Sequence, residues 1–209
     1  MARNLGLDGG VDVADRIRVE AAQLFHHRGY GMTAIRDIAE AAGISSSTMY
    51  HHYRNKQDVL FAISRQFMTD FNNALLPILS DSTRPHQERL DAAIKLHLTI
   101  SNERRTELLT IRGNRGALSL DQLRTIVRLQ TAYQRAVREV VAVIQGSGPV
   151  DAELITMALM DLINGVCQWF APSGSLTIDE IAERYLRMAR SLVSGGVPPR
   201  RATRMATPG

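Results

Sequence analysis

Residues 33–57 read TAIRDIAEAAGISSSTMYHHYRNKQ, and their spacing describes a short helix, a glycine turn and a second short helix. Ile35, Ile38, Ala39 and Ala42 recur at helical intervals, so one face of the first helix is apolar while Arg36, Asp37 and Glu40 lie elsewhere. Thr33 stands just before this stripe, where a hydroxyl can accept from the free amides of a first turn, and the helix is predicted to begin near Ala34. Gly43 follows the last periodic residue. Helices commonly end there in the left-handed conformation, which glycine enters without a Cβ penalty. Ile44 then plugs the angle between the helices, Ser45 or Ser46 caps the second one, and Met49 and Tyr53 turn inward four residues apart. Ser46, Ser47, Thr48, Tyr50, His51 and His52 are left facing outward.

That outward face is polar and short in reach. From Gly43 through Gln57 there is no acidic residue, and Arg54 and Lys56 add positive charge, so phosphates are attracted. Hydroxyls, a phenol and imidazoles donate to phosphate oxygens, and Ser or Thr also meets base edges in a major groove. The arrangement is the sequence form of a DNA-reading helix-turn-helix. A small solvated helix pair with a polar face has the same local pattern, and residues 33–57 alone leave both readings standing.

Across residues 14–62 the chain resembles the TetR family of one-component bacterial transcriptional regulators. The resemblance is carried by an apolar first helix, by Arg28-Gly29-Tyr30, by the run from Thr33 to Ser45 and by that from Thr48 to Lys56. It implies that Thr33, Thr48, Tyr50, His52 and Lys56 hold phosphates, with Lys56 at the amide-rich start of the fourth helix. It makes Arg36, Ser46, Ser47 and His51 the candidates for base edges. A guanidinium grips guanine O6 and N7 with two bonds, although Arg36 is equally placed to pair with Glu40 four residues on. Two departures stand out. Ser47 occupies a position where many relatives carry glycine, and Tyr53 replaces the commoner phenylalanine, keeping its ring in the core.

With 209 residues, 44% of them hydrophobic, the chain has room for a second unit beyond a DNA-binding head of about fifty-five residues. The expected organisation is an all-α protein with a flexible arm over 1–12, a helix-turn-helix domain over 13–60, a helical ligand-binding and dimerisation domain over 61–195 and a disordered basic tail over 196–209. Arg3 reads as part of an unstructured leader, or else as a minor-groove arm. The formal charge of +4 is modest, so positive charge matters only where it is placed locally. One cysteine, Cys167, excludes an intramolecular disulfide and a Cys/His metal cluster, and reads as a buried, inert thiol or a redox sensor. No segment has the apolar length of a signal peptide or a membrane span, so the expected home is the cytoplasm, with no membrane partner.

Beyond the head the pattern is helical throughout. Val59, Ile63, Phe67, Phe71 and Leu75 step by four along a helix over about 55–79, some 35–38 Å long, that links head to body, and Pro77 is expected to bend or end its last turn. Further helices are predicted near 86–101, 104–113, 119–146, 151–171 and 177–194, nine in all, which matches the plan the resemblance implies. Leu154 to Phe170 is apolar around most of its circumference and therefore needs two partners, one of them outside the chain. With Ile181, Tyr185, Met188 and Leu192 it is the candidate for a four-helix interface in a homodimer suited to a palindromic operator, an arrangement the resemblance also implies.

The resemblance further implies repression of transcription and a small-molecule pocket within helices four to eight that is coupled to DNA affinity. The candidate pocket walls are Phe67, Phe71, Leu96, Leu109, Tyr133, Val137, Met160, Trp169 and Phe170. Arg104, Arg105, Arg112, Arg115 and Arg124 cluster mid-chain beside His97 and Asn114. Such a cluster next to an apolar cavity suits an acyl-coenzyme A or fatty-acid-like effector, with Arg112 among the binding residues. A hydrophobic drug is the rival effector, and Asp161 or Asn164 would serve it unless they bond across the interface. There is no phosphate-cradling glycine loop, paired-histidine metal signature or nucleophile beside a base. No catalytic activity, metal or cofactor is therefore expected. The remaining alternative is an architectural protein that coats DNA without sequence preference.

Overall fold

The computed structural model describes residues 12–146, 149–171 and 173–195. The basic tail, and the N-terminal arm apart from Asp12, lie outside the described residues. Among the described residues there are nine α-helices and no strand: α1 (Val13–Arg28), α2 (Ile35–Ala41), α3 (Ser46–His52), α4 (Lys56–Ser80), α5 (His86–Glu103), α6 (Arg105–Gly113), α7 (Leu120–Gln145), α8 (Pro149–Trp169) and α9 (Ile178–Ser194). A 3-10 turn, Arg115–Ala117, joins α6 to α7.

Local chemistry sets the helix ends. Asp12 accepts from the Ala14 amide at 3.2 Å to start α1, and Gly29, at φ 86°, ends it. Helix α2 begins at Ile35, and Thr33 does not cap it. The N-cap is Ala34, and the Asp37 carboxylate reaches back to accept from the Ala34 amide at 2.8 Å. Gly43 takes φ 64°, so its amide donates to Glu40 O and the Ile44 amide to Ala39 O, both at 3.0 Å, satisfying two of the last carbonyls of α2. Of the two candidate serines, Ser45 caps α3 by accepting from the Thr48 amide at 3.0 Å. Reciprocal pairs open α7 (Ser119 with Gln122) and α9 (Thr177 with Glu180).

Helix α4 is the spine. Val59, Ile63, Phe67, Phe71 and Leu75 are all buried, as the four-residue step predicts, and α4 packs on α1 near its start and on α5, α6 and α7 along its length. Pro77 lies in the last turn of α4, which ends at Ser80, and the carbonyl that the proline leaves without a donor is that of Asn73; both residues are exposed. Helix α8 buries Ala152, Ile155, Leu159, Ile163 and Val166 inside the chain but leaves Val150, Leu154 and Met157 at 70, 56 and 57% exposure. Ile181 of α9 belongs to the internal core at 2% exposure, so it does not join the outward apolar face.

Besides the packing of α1 on α4, one ammonium ties the turn after α1 to the start of α4. Lys56 Nζ donates to the carbonyls of Tyr30 (2.7 Å), Gly31 (3.2 Å) and Thr33 (3.2 Å) and lies 4.5 Å from the centre of the Tyr30 ring. Replacing it with methionine keeps the stem and removes three charge-assisted bonds. Lys56→Met is expected to cost about 1–2 kcal/mol of stability and to speed amide exchange at Thr33. Melting and exchange identical to the parent protein would show that the ammonium holds nothing there.

Candidate nucleic-acid interface and effector cavity

The outer surface of α3 carries Ser46, Ser47, Tyr50, His51 and His52, all exposed, with Tyr50 at 51%. Met49 anchors the helix from the inside at 1% exposure. Ser45 Oγ bonds both Ser47 Oγ and Thr48 Oγ1 at 2.8 Å, so these hydroxyls form a small cluster at the N-terminus of α3. Thr48 is half-buried, while Ser46, Tyr50, His51 and His52 project freely. Arg36 is exposed near the start of α2 and forms no ion pair with Glu40, which leaves its guanidinium available. Arg36, Ser46, Ser47, Tyr50, His51 and His52 thus share the accessible surface of the helix-turn-helix.

Two of the expected phosphate ligands are placed differently. Thr33 is 1% exposed, and its hydroxyl donates to Gly29 O at 2.9 Å; it staples the turn shut from within and faces no solvent. Lys56 has all three of its N–H donors directed at backbone carbonyls of the same turn. A hydroxyl before a helix and a lysine at a helix start both read as anion contacts in one dimension. Only the folded turn shows that nearer carbonyls claim them.

The body encloses a cavity of about 420 Å³ between α4, α5, α6, α7 and α8. Of the residues expected to line it, Phe67, Phe71, Arg112, Tyr133 and Met160 do. Leu96 and Leu109 are half-buried and turned away from it, Val137 and Phe170 are interior packing, and Trp169 is 54% exposed with its ring 6.3 Å from that of Tyr185. On α6 the lining falls to Leu108 and Ile111, because adjacent helical residues point about 100° apart. Polar groups that apolar periodicity does not reveal also line the space: His97, Ser101, Gln130, Gln134 and Asn164.

Electrostatically the cavity has two zones. Deep inside, His97 and Tyr133 are almost wholly buried, with His97 Nδ1 3.1 Å from the Tyr133 hydroxyl. Burial lowers the His97 pKa to about 4, against a smaller opposing effect from its hydrogen bond with Asn164, so the ring is neutral near pH 7. Burial likewise raises the Tyr133 pKa and keeps its phenol protonated. At the mouth, Arg112 donates to Asn164 O at 3.4 Å and Arg115 to Gln130 Oε1 at 3.1 Å; both are exposed and neither meets a carboxylate. The other three clustered arginines are engaged elsewhere. Arg104 bridges Asp70 and Glu107, Arg105 donates to Cys167 O, and Arg124 pairs with Asp121. Among the described residues no acidic side chain lines the cavity, and Asp161 sits exposed on the outer face of α8.

The cavity wall is also the support of the head. Thr110 Oγ1 donates to Ala22 O of α1 at 3.1 Å, and Gln57 in the first turn of α4 donates through Nε2 to Ala117 O at 2.5 Å. Ile111, Arg112 and Arg115, between these ties, and Leu118, just past the second, line the cavity. No described helix is long and apolar enough to cross a membrane.

Residues 17–63 match the family described as bacterial regulatory proteins, tetR family, and residues 83–193 match the tetracyclin repressor-like C-terminal domain. The HTH-type transcriptional repressor KstR2 of Rhodococcus jostii RHA1 is 29% identical over 179 residues, covering 79% of this chain and 83% of that protein. The KstR2 of Mycolicibacterium smegmatis is 26% identical, covering 88% and 89%. Among solved structures, AibR in complex with isovaleryl coenzyme A and operator DNA aligns with a TM-score of 0.75 at 27% identity, over 85% of this chain and 97% of that one. The TetR family transcriptional regulator PfmR from Thermus thermophilus gives 0.75 at 28% identity, over 84% and 97%. With a helix-turn-helix head, an all-helical body and both family domains in order, the chain belongs to the TetR family of bacterial transcriptional regulators, which are DNA-binding proteins and not enzymes.

Proposed function

We propose that the protein is a cytoplasmic, homodimeric repressor that occupies a palindromic operator and is released by an anionic amphipathic effector of the acyl-coenzyme A type. The observation that carries this reading is the cavity: walls that include Phe67, Phe71, Leu108, Ile111 and Met160, two arginines at its mouth without carboxylate partners, and no acid among the described residues of its lining. Guanidinium groups at the mouth suit the phosphates of such a molecule while its acyl part enters. AibR, a structural relative above, was solved with isovaleryl coenzyme A and operator DNA, which supports the same effector class here. A cationic drug is disfavoured by the missing carboxylate, since a buried cation needs one.

In this reading residues 13–60 bind DNA and residues 61–195 bind effector and partner. Tyr50 and His52, with Thr48, hold phosphates, while Arg36, Ser46, Ser47 and His51 meet base edges. Val150, Leu154 and Met157 of α8 with Met188 of α9 cover their exposed apolar surface against the same face of a second copy. An effector that pushes outward on α6 and the 3-10 turn moves Ala22 and Gln57 through their hydrogen bonds, changing the spacing of the two heads. A coupling of about 1–3 kcal/mol is ordinary for such a link.

The direct test is selection of bound sequences from random DNA by the purified protein, followed by a footprint. One palindrome is expected, and binding without sequence preference would instead mark a DNA-coating protein. Arg36→Ala is expected to relax preference at a single base pair by about 1–3 kcal/mol, whereas uniform weakening at unchanged selectivity would move Arg36 to the phosphate contacts. Light scattering should give a mass near twice 23.2 kDa, and Leu154→Glu combined with Met157→Glu should yield monomers; a parent monomer at micromolar concentration would defeat the dimer. Arg112→Glu with Arg115→Glu should leave operator affinity intact and weaken release by acyl-coenzyme A by about tenfold or more, and unaltered release would place the phosphates elsewhere.

A further inference from the structure

The buried end of the cavity has a polar device that an anion site and an apolar wall do not account for. His97 on α5 and Tyr133 on α7, at 3% and 4% exposure, bond to each other at 3.1 Å, and both line the cavity. The Phe71 ring meets each of them edge-on, with centroids 4.9 and 5.1 Å away, which fixes both rings in place. A neutral imidazole has one N–H and the phenol one O–H, and their mutual bond uses one of these two protons. With the phenol donating to Nδ1, the imidazole keeps its proton on Nε2, and Asn164 of α8 acts on the ring as a hydrogen-bond acceptor, raising its proton affinity. Its side-chain NH₂ then has no protein partner, although Asn164 also lines the cavity. What remains for a ligand is one amide donor and a lone pair on the phenol oxygen, with no net charge.

A hydrocarbon filling this end would strip water from those groups and return no hydrogen bond, which is unfavourable. A carboxylate beside His97 and Tyr133 would be desolvated against two neutral rings, and of the cavity's cations Arg112 reaches this end only as far as the Asn164 backbone carbonyl. We infer that Tyr133, His97 and Asn164 form a relay that selects effectors carrying one uncharged oxygen, a hydroxyl or a carbonyl, in the part of the molecule buried beyond the arginines. The inference rests on the anionic-effector reading above and narrows it from acyl thioesters in general to those oxygenated on the acyl group.

The test is calorimetric titration of the full chain with three coenzyme A thioesters of equal acyl length: hexanoyl, ω-hydroxyhexanoyl and adipoyl. The hydroxylated thioester is expected to bind about tenfold more tightly than hexanoyl, and adipoyl, with its inner carboxylate, most weakly. Tyr133→Phe and Asn164→Leu, each checked for an unchanged helical melt, should each shrink the ratio of the first two affinities toward one. Equal binding of hexanoyl and ω-hydroxyhexanoyl, a preference that survives both substitutions, or adipoyl binding tightest would overturn the relay while leaving the acyl-thioester reading in place. Failure of all three to bind would overturn that reading and the relay together.

Discussion

The burial of one face of α4 is the constraint on which the rest of the molecule depends. The helix is 25 residues long, and its inward side chains are shared between two units: Val59 and Leu60 sit at the head end, Phe67 and Phe71 at the cavity, Leu75 and Leu79 at the far end. The head and the cavity thus share the packed face of one helix. Its first residue, Lys56, meanwhile closes the turn that orients α2. Attraction between an ammonium and three carbonyls therefore adds to the packing of α1 on α4 in fixing the turn before the DNA-reading helices.

A second connection runs beside the first. Helix α6 and the 3-10 turn touch the cavity on one side and the head on the other, through Thr110 to Ala22 and Gln57 to Ala117. These ties are hydrogen bonds to backbone carbonyls, which are directional and fail over a few tenths of an ångström, whereas the α4 face is broad and non-directional. Helix α6 also packs on α1, so the wall of the cavity that it forms is joined to the head by packing as well as by these two bonds.

Much of this is legible in one dimension. The four-residue step of α4, the glycine that ends α2 and the apolar girth of α8 each follow from periodicity and backbone preference, and each helix from α4 onward lies within three residues of its expected bounds. What periodicity cannot show is where an interior is empty. Val137 and Phe170 have the hydrophobicity of cavity walls, yet packing fills their surroundings, and Leu96 and Leu109 are half-buried away from the void, while Ser101, Gln130 and Asn164 line it although polarity suggests a surface or an interface. Thr33 and Lys56 mislead for a related reason. Their partners are backbone carbonyls, which are present at every residue and leave no mark in a sequence.

The arginines illustrate how three-dimensional pairing sorts identical side chains into different work. Arg104 lies 4.9 Å from the centre of the Phe67 ring and holds Asp70 and Glu107, so its charge is cancelled where α4 meets α6. Arg112 and Arg115, further along the same segment, find only neutral carbonyl oxygens. A guanidinium bonded to a carboxylate offers a new anion little, since the local field is already neutral. One bonded to an amide or peptide oxygen keeps its full charge and can exchange that weak partner for a phosphate. The mid-chain cluster therefore divides by partner, and the arginines left without acids at the cavity are the ones at its mouth.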